Sequence, residues 1–212
     1  MRRIWEGILR MLSSRSDAVL ALLALLASVA QAAETPPQVV DGLSVQVIAV
    51  LKDPQMSNAD KRAKVEQIAD GAVDFGTLCK LVLARAWSQF SLEQRSEFEA
   101  EFRRHLSLTY GRNVDSYQNE TVEIIGERPQ ARGDVTVITK IRRGGGDQDF
   151  SVDYRLRRNS EQWKIIDVII EGVSLVSNFR SQFRDIVANG GPTRLLTLLR
   201  EKNAAGEPLE AK

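Results

Sequence analysis

WKIIDVIIEGVSLVSNFRSQF, residues 163–183, changes its period halfway along. The first eight residues hold one Lys and one Asp, and the other six are Trp, Ile and Val. Such residues suit a pleated, well-covered surface. The alternation of apolar and polar positions is incomplete, which predicts a strand that needs cover on both faces. Glu171-Gly172 then breaks the pattern, and Ser174 is placed to cap a following helix. Beyond it, Leu175, Val176, Phe179, Phe183 and Ile186 fall at helical spacing. A greasy strand, a Gly turn and an amphipathic helix folding back build one wall of an apolar interior. Whether that wall closes on side chains or on a ligand is the functional question.

The chain has 212 residues, 43% hydrophobic and 27% charged, an ordinary globular composition with room for a sizeable core. Lys and Arg total 29 against 28 Asp and Glu. That balance argues against a nucleic-acid binder and against a polybasic membrane anchor. Residues 1–32 read as a secretory signal peptide. Arg2, Arg3, Arg10 and Arg15 form a positive region, residues 18–30 an apolar run of 13, and Ala30-Gln31-Ala32 an A-x-A cleavage signal. The run is short for a membrane span, which needs about 20 residues. An uncleaved N-terminal anchor is the alternative. Removing residues 1–32 takes four Arg with Glu6 and Asp17, leaving 25 basic and 26 acidic residues, a net of −1. The expectation is a protein exported to a bacterial periplasm.

Helical patterns come next. After a linker-like start at 34–38, Val40, Leu43, Val47, Ile48 and Leu51 form a stripe that Asp53-Pro54 ends. Ser57 with Asp60 opens a polar helix running to about Gly71. A third helix starts at 73–75 and carries Phe75, Leu78, Leu81 and Val82. Ser91 and Gln94 form a capping box for the longest helix, with Phe98, Phe102, Leu106 and Tyr110 on one face. The period then becomes two. Strands are expected at 121–125, 134–142, 149–158 and from 163, separated by turns at 144–147 and 159–160. Short connections imply a four-stranded antiparallel meander. A helix from 174 to about 189, a Gly190-Gly191-Pro192 break and a short helix from 193 to about 203 close the chain, with 204–212 as a mobile tail. The predicted class is α+β, one domain over residues 33–203, with helices on one face of a curved sheet.

Candidates for chemistry are few. Cys79, the one Cys, sits in an apolar helical run and reads as a core residue, or more sharply as a reactive thiol. His105, the one His, has no His or Cys near it in sequence for a metal set or triad. No G-x-S-x-G elbow or phosphate-cradling loop is present. Asp167 alternates with Trp163, Ile165 and Ile169, so it is expected under cover and in need of a partner. Arg155 is one such partner, giving a structural ion pair; a catalytic acid is the other reading. Glu171 suits the N-terminus of the following helix. The residues favour a binding protein over an enzyme.

The stretch 163–183, preceded by VDYRLRRNSEQ, resembles the periplasmic phospholipid-binding proteins of the Mla pathway, the MlaC or toluene-tolerance family. The likeness extends to SLEQRSEFEAEFRRHLSLTYG and VDFGTLCKLVLARAW, and so covers roughly 39–203. Hopanoid-associated proteins belong to the same broad family. The resemblance implies an apolar cavity between curved sheet and helices that holds lipid acyl chains. It implies no cofactor. The implied partners are an inner-membrane ABC lipid transporter complex and an outer-membrane lipoprotein–porin complex. On that reading Val152, Tyr154, Ile166, Val168, Ile170, Val173 and Val176 line the sheet and turn side. Phe75, Leu78, Val82, Phe102 and Leu106 line the helical side. The rivals are an enzyme using Asp167 or Glu171 with Tyr154, and an adaptor with a filled core.

Overall fold

The computed structural model describes residues 34–143 and 148–209, so the segment at 1–32, the turn at 144–147 and the last three residues of the tail lie outside the described residues. Four helices lead. Helix α1, Pro36–Lys52, begins inside the stretch expected as a linker. Pro36 suits a first helical position, where no donor is lost, and a capping box between Thr35 and Gln38 satisfies the open end. Helix α2, Asn58–Ala72, is capped by Ser57, whose Oγ accepts from the Asp60 amide at 3.1 Å. Helix α3, Phe75–Leu83, starts at the last residue of the expected 73–75, because Asp74 is spent as its cap. The Asp74 carboxylate accepts from the Thr77 amide and hydroxyl, both at 2.8 Å. Helix α4, Leu92–Tyr110, starts at the Ser91/Gln94 capping box. Past Gly111 it tightens into a 3-10 stretch, Gly111–Ser116.

The sheet has five strands, where four are expected. β1 (Thr121–Pro129), β2 (Val135–Arg142), β3 (Phe150–Asn159), β4 (Gln162–Ile170) and β5 (Val173–Ser174) lie in sequence order, each antiparallel to the next. The extra strand is two residues long. Glu171 (φ 48) and Gly172 (φ 78) both take left-handed backbone, and that tight turn pairs Val173 back onto Ile170. β1 runs four residues beyond its expected end, to Pro129.

One irregularity decides which way β4 faces. The register with β3 shifts between Arg155 and Leu156, so that Asp167 pairs with Arg155 and Ile165 with Leu156, and Ile166 is the extra residue of a bulge. Ile165, Ile166 and Asp167 are consequently all buried. Past the bulge, Val168 and Ile170 share the face of Ile165, opposite Tyr154 and Val152. The helices cover this face. Val40 of α1 packs on Val137, Leu156 and Ile165.

The last helix, α5, Leu175–Ala205, folds back over α3 and α4, and breaks at Gly191 (φ 68) beside Pro192 as expected. Its Arg180 guanidinium donates twice to the Leu81 carbonyl at the end of α3, at 2.9 and 2.7 Å. Phe179 and Phe183 meet Phe98 and Phe102 of α4 with ring centroids 5.0–5.6 Å apart. Each such ring pair adds roughly 0.5–1.5 kcal/mol to its area burial.

The expected mobile tail is fastened up to Leu209. Gly206 ends α5 in left-handed geometry, and the Leu209 amide donates to His105 Nε2 at 3.3 Å. The other ring nitrogen, Nδ1, lies 3.0 Å from Asn203 Oδ1, which makes Nδ1 the donor and the imidazole neutral. Burial pushes the His105 pKa down and outweighs the Asn203 bond, which acts in the other direction. His105 is thus a structural clasp between α4, α5 and the tail.

Candidate functional site

Helices α1 to α5, the 3-10 stretch after α4 and strand β4 border a cavity of about 610 Å³. Well-packed interiors seldom hold voids larger than a water molecule, and about 300–1,000 Å³ is the size of a ligand site. Each element gives it one face. Phe75, Leu78 and Val82 of α3 are spaced by three and four, as are Phe102 and Leu106 of α4. The sheet gives Ile165, Val168 and Ile170, one face because of the Ile166 bulge. The start of α5 gives Leu175, Val176 and Phe179. With Val47 and Leu51 of α1, these elements make an aliphatic and aromatic wall.

The side along α2 differs. Helix α2 presents Arg62, Val65, Glu66, Ala69 and Asp70 to the cavity, and none of its residues is buried. Arg103 of α4 faces it. Its guanidinium pairs with Asp70 at 2.7 Å and Glu99 at 3.2 Å, and lies 4.1 Å from the centre of the Phe75 ring. Arg62 grips Asp115 of the 3-10 stretch through both Nε and Nη2, the Nε contact at 3.3 Å. Tyr110 also borders the cavity, its hydroxyl pKa raised by burial. The site is therefore an apolar chamber with a charged rim along α2 and α4. It suits hydrocarbon inside and a polar group at the edge.

Eight of the twelve residues singled out from the sequence border this cavity: Phe75, Leu78, Val82, Phe102, Leu106, Val168, Ile170 and Val176. The other four lie elsewhere. Val152 and Tyr154 are on the helix-covered face of β3 but outside the cavity lining. Ile166 is buried at the bulge, and Val173 is 58% exposed on β5. Among the lining residues the sequence did not offer are Val47 and Leu51 of α1, Val65 and Ala69 of α2, and Val114. Val47 and Leu51 were visible in the α1 stripe. Val65 was visible only as part of a thin apolar side on a charged helix.

The expected acids do other work. Arg155 lies opposite Asp167 in register, yet no ion pair joins them among the described residues; the Arg155 guanidinium is nearest Asp134, at 3.7 Å. Asp167 instead accepts from the Ser174 hydroxyl at 2.6 Å and the Val176 amide at 3.0 Å. It closes the N-terminus of α5, the task expected of Glu171. Glu171 accepts from the Ser151 amide and ties the turn to β3. Tyr154 and Asp167 point to opposite faces of the sheet, since Tyr154 pairs with Val168. Burial pushes the Tyr154 pKa up to about 12. The Cys79 thiol is buried and its pKa is raised, by burial first and then by Glu99, which keeps it protonated and unreactive. No group of three or more potential metal ligands occurs among the described residues. Nor is any described helix long and apolar enough to cross a membrane.

Comparison with known proteins agrees with this geometry. The chain is 26% identical over 186 residues to the toluene tolerance protein ttg2D of Pseudomonas putida, covering 85% of this chain and 86% of that one. Among solved structures it is similar to a phospholipid-binding protein from Ralstonia solanacearum, determined in complex with a phospholipid. The two superpose with a TM-score of 0.71 at 28% identity, over 79% of this chain and 96% of the other. The family model described as MlaC protein matches residues 41–201. Curved meander, helical cover and apolar chamber thus sit on a sequence that belongs to the MlaC family.

Proposed function

We propose that this protein is a periplasmic phospholipid carrier. It takes the acyl chains of one lipid into the cavity, leaves the head group at the charged rim, and shuttles between the outer and inner membranes. The observation that carries this is the cavity itself: about 610 Å³ with aliphatic and aromatic walls except along the charged rim. The Ralstonia relative with its bound phospholipid supports the ligand class.

The physics matches the task. Exposing a chain to water costs about 0.8 kcal/mol per CH₂, so two chains of about 16 carbons face an aqueous barrier of roughly 25 kcal/mol. A carrier exchanges bilayer hydrocarbon for protein hydrocarbon, which is nearly neutral, so no catalytic group is required. The residues bordering the cavity hold the chains by apolar contact alone. Direction must come from a partner. The reading is that an outer-membrane lipoprotein–porin complex yields misplaced phospholipid and an inner-membrane ABC transporter receives it, which maintains outer-membrane asymmetry. Export through the segment at 1–32 places the carrier between them.

Mass spectrometry of lipid extracted from the purified protein tests this. Stoichiometric phospholipid is expected. Hopanoid in its place moves the protein to another ligand class, and a lipid-free protein that takes up none from vesicles contradicts the reading.

A further inference from the structure

We propose that α2 is a door over the cavity, hinged at its C-terminal end and latched toward its N-terminal end by an ion pair to the 3-10 stretch after α4. This rests on the carrier reading above and adds how the ligand enters. Three observations point to it.

First, α2 is the one α-helix among the described residues with no fully buried residue, although one of its faces borders the cavity. Its apolar surface is Val65 and Ala69 on the cavity side and Ile68 and Ala72 toward α1, all only half-buried, a thin hold for a 15-residue helix. Second, its polar attachments are unevenly placed. At the C-terminal end, the Asp74 amide donates to the Ile165 carbonyl at 3.0 Å, and Lys164 Nζ reaches the Gly71 carbonyl at 2.6 Å. Val73 also forms a parallel bridge to Ile165. That end is woven onto β4. The Asp70–Arg103 pair sits beside that end, while toward the N-terminal end Arg62 grips Asp115 and Lys61 Nζ reaches the Leu51 carbonyl at 2.7 Å. Third, the Arg62 and Asp115 side chains are 46% and 35% exposed, so water and salt compete for the pair. Elements held this way open at the lowest free energy in a fold. Swinging α2 away from α4 would open the apolar chamber along an edge already lined with charge, where a phosphate head group stays wet while the chains slide in.

The test is the rate at which protein loaded with a fluorescent phospholipid delivers it to phosphatidylcholine vesicles. Asp115→Asn, which removes a latch without touching the cavity wall, is expected to speed delivery about two- to fivefold. Higher ionic strength should speed wild type toward the same rate. Asp115→Glu, which keeps the carboxylate opposite Arg62, should deliver at the rate of wild type. Equal rates in loaded wild type and Asp115→Asn, or an Asp115→Glu protein as fast as Asp115→Asn, overturn the door and leave the carrier standing. Wild type that takes up no phospholipid at all overturns the carrier reading and the door with it.

Discussion

Helices α4 and α5 border two interiors that could hardly differ more. On one side Phe90, Phe98, Phe102, Phe179 and Phe183 fill the space ring against ring. On the other, Leu106, Val176 and Ile170 stand around a cavity of about 610 Å³. Phe102 and Phe179 belong to both, one face in the solid cluster and one toward the chamber. The difference lies in what faces the helices. The solid half is closed by an apolar stripe on α5. The hollow half is closed by α2, whose inward residues are charged or small. A hole of this kind is built by withholding side chains from one wall, not by carving the others.

Breaking the solid half should produce the largest loss. Phe183→Ala removes a buried ring that touches three others, and is expected to cost about 3–5 kcal/mol in urea unfolding. A matched pair of enlargements sharpens the contrast. Leu196→Trp in the filled half should cost about 1–3 kcal/mol from overpacking. Ala69→Trp, pointing into the chamber, should cost less than about 1 kcal/mol yet reduce extracted phospholipid sharply. Equal destabilisation by the two would mean the chamber is not a place apart. Asp167→Ala removes the cap on the wall shared by both halves, and a loss of about 0.5–2 kcal/mol is expected in the same unfolding assay.

The smallest effect is pH dependence from the His105 clasp. Burial lowers its pKa from the ordinary 6.5, so the folded state favours the neutral ring and the unfolded chain binds the proton more readily. The stability it contributes is whole above 6.5 and lost as pH falls below that through the folded-state value. Melting temperature should decline over that window in wild type, and the decline should be shallower in His105→Gln.

Much of the architecture could be read from residues alone, because caps and turns are local. Ser57, Ser91 and Ser174 each start the helix expected of them. Helical spacing put Phe75, Leu78 and Val82 on one face of α3 and Phe102 and Leu106 on one face of α4, and the family resemblance assigned those faces to the lining, which they border. The face of β4 resisted reading for a definite reason. WKIIDVII is apolar on both faces, so a one-residue bulge at Ile166 leaves no mark in the pattern. Asp167 was assigned a partner by strand register, but its Oδ atoms find backbone and hydroxyl donors across the turn, which nearer geometry favours over a salt bridge. A two-residue β5 is below any periodic signal. The role of α2 is invisible in sequence because a charged helix usually means a solvated one. The tail strap depends on Leu209, which packs on the main core and donates to a residue 104 positions away.

The central claim is that the hollow half holds hydrocarbon. A phospholipid carrying a photoactivatable diazirine near the end of one acyl chain, loaded and irradiated, reports this directly by peptide mass spectrometry. Adducts are predicted on cavity residues such as Leu78, Leu106, Val168 and Ile170, with none on Phe98 or Leu199 in the filled half. Adducts confined to the outer surface, or spread evenly over both halves, would contradict the account.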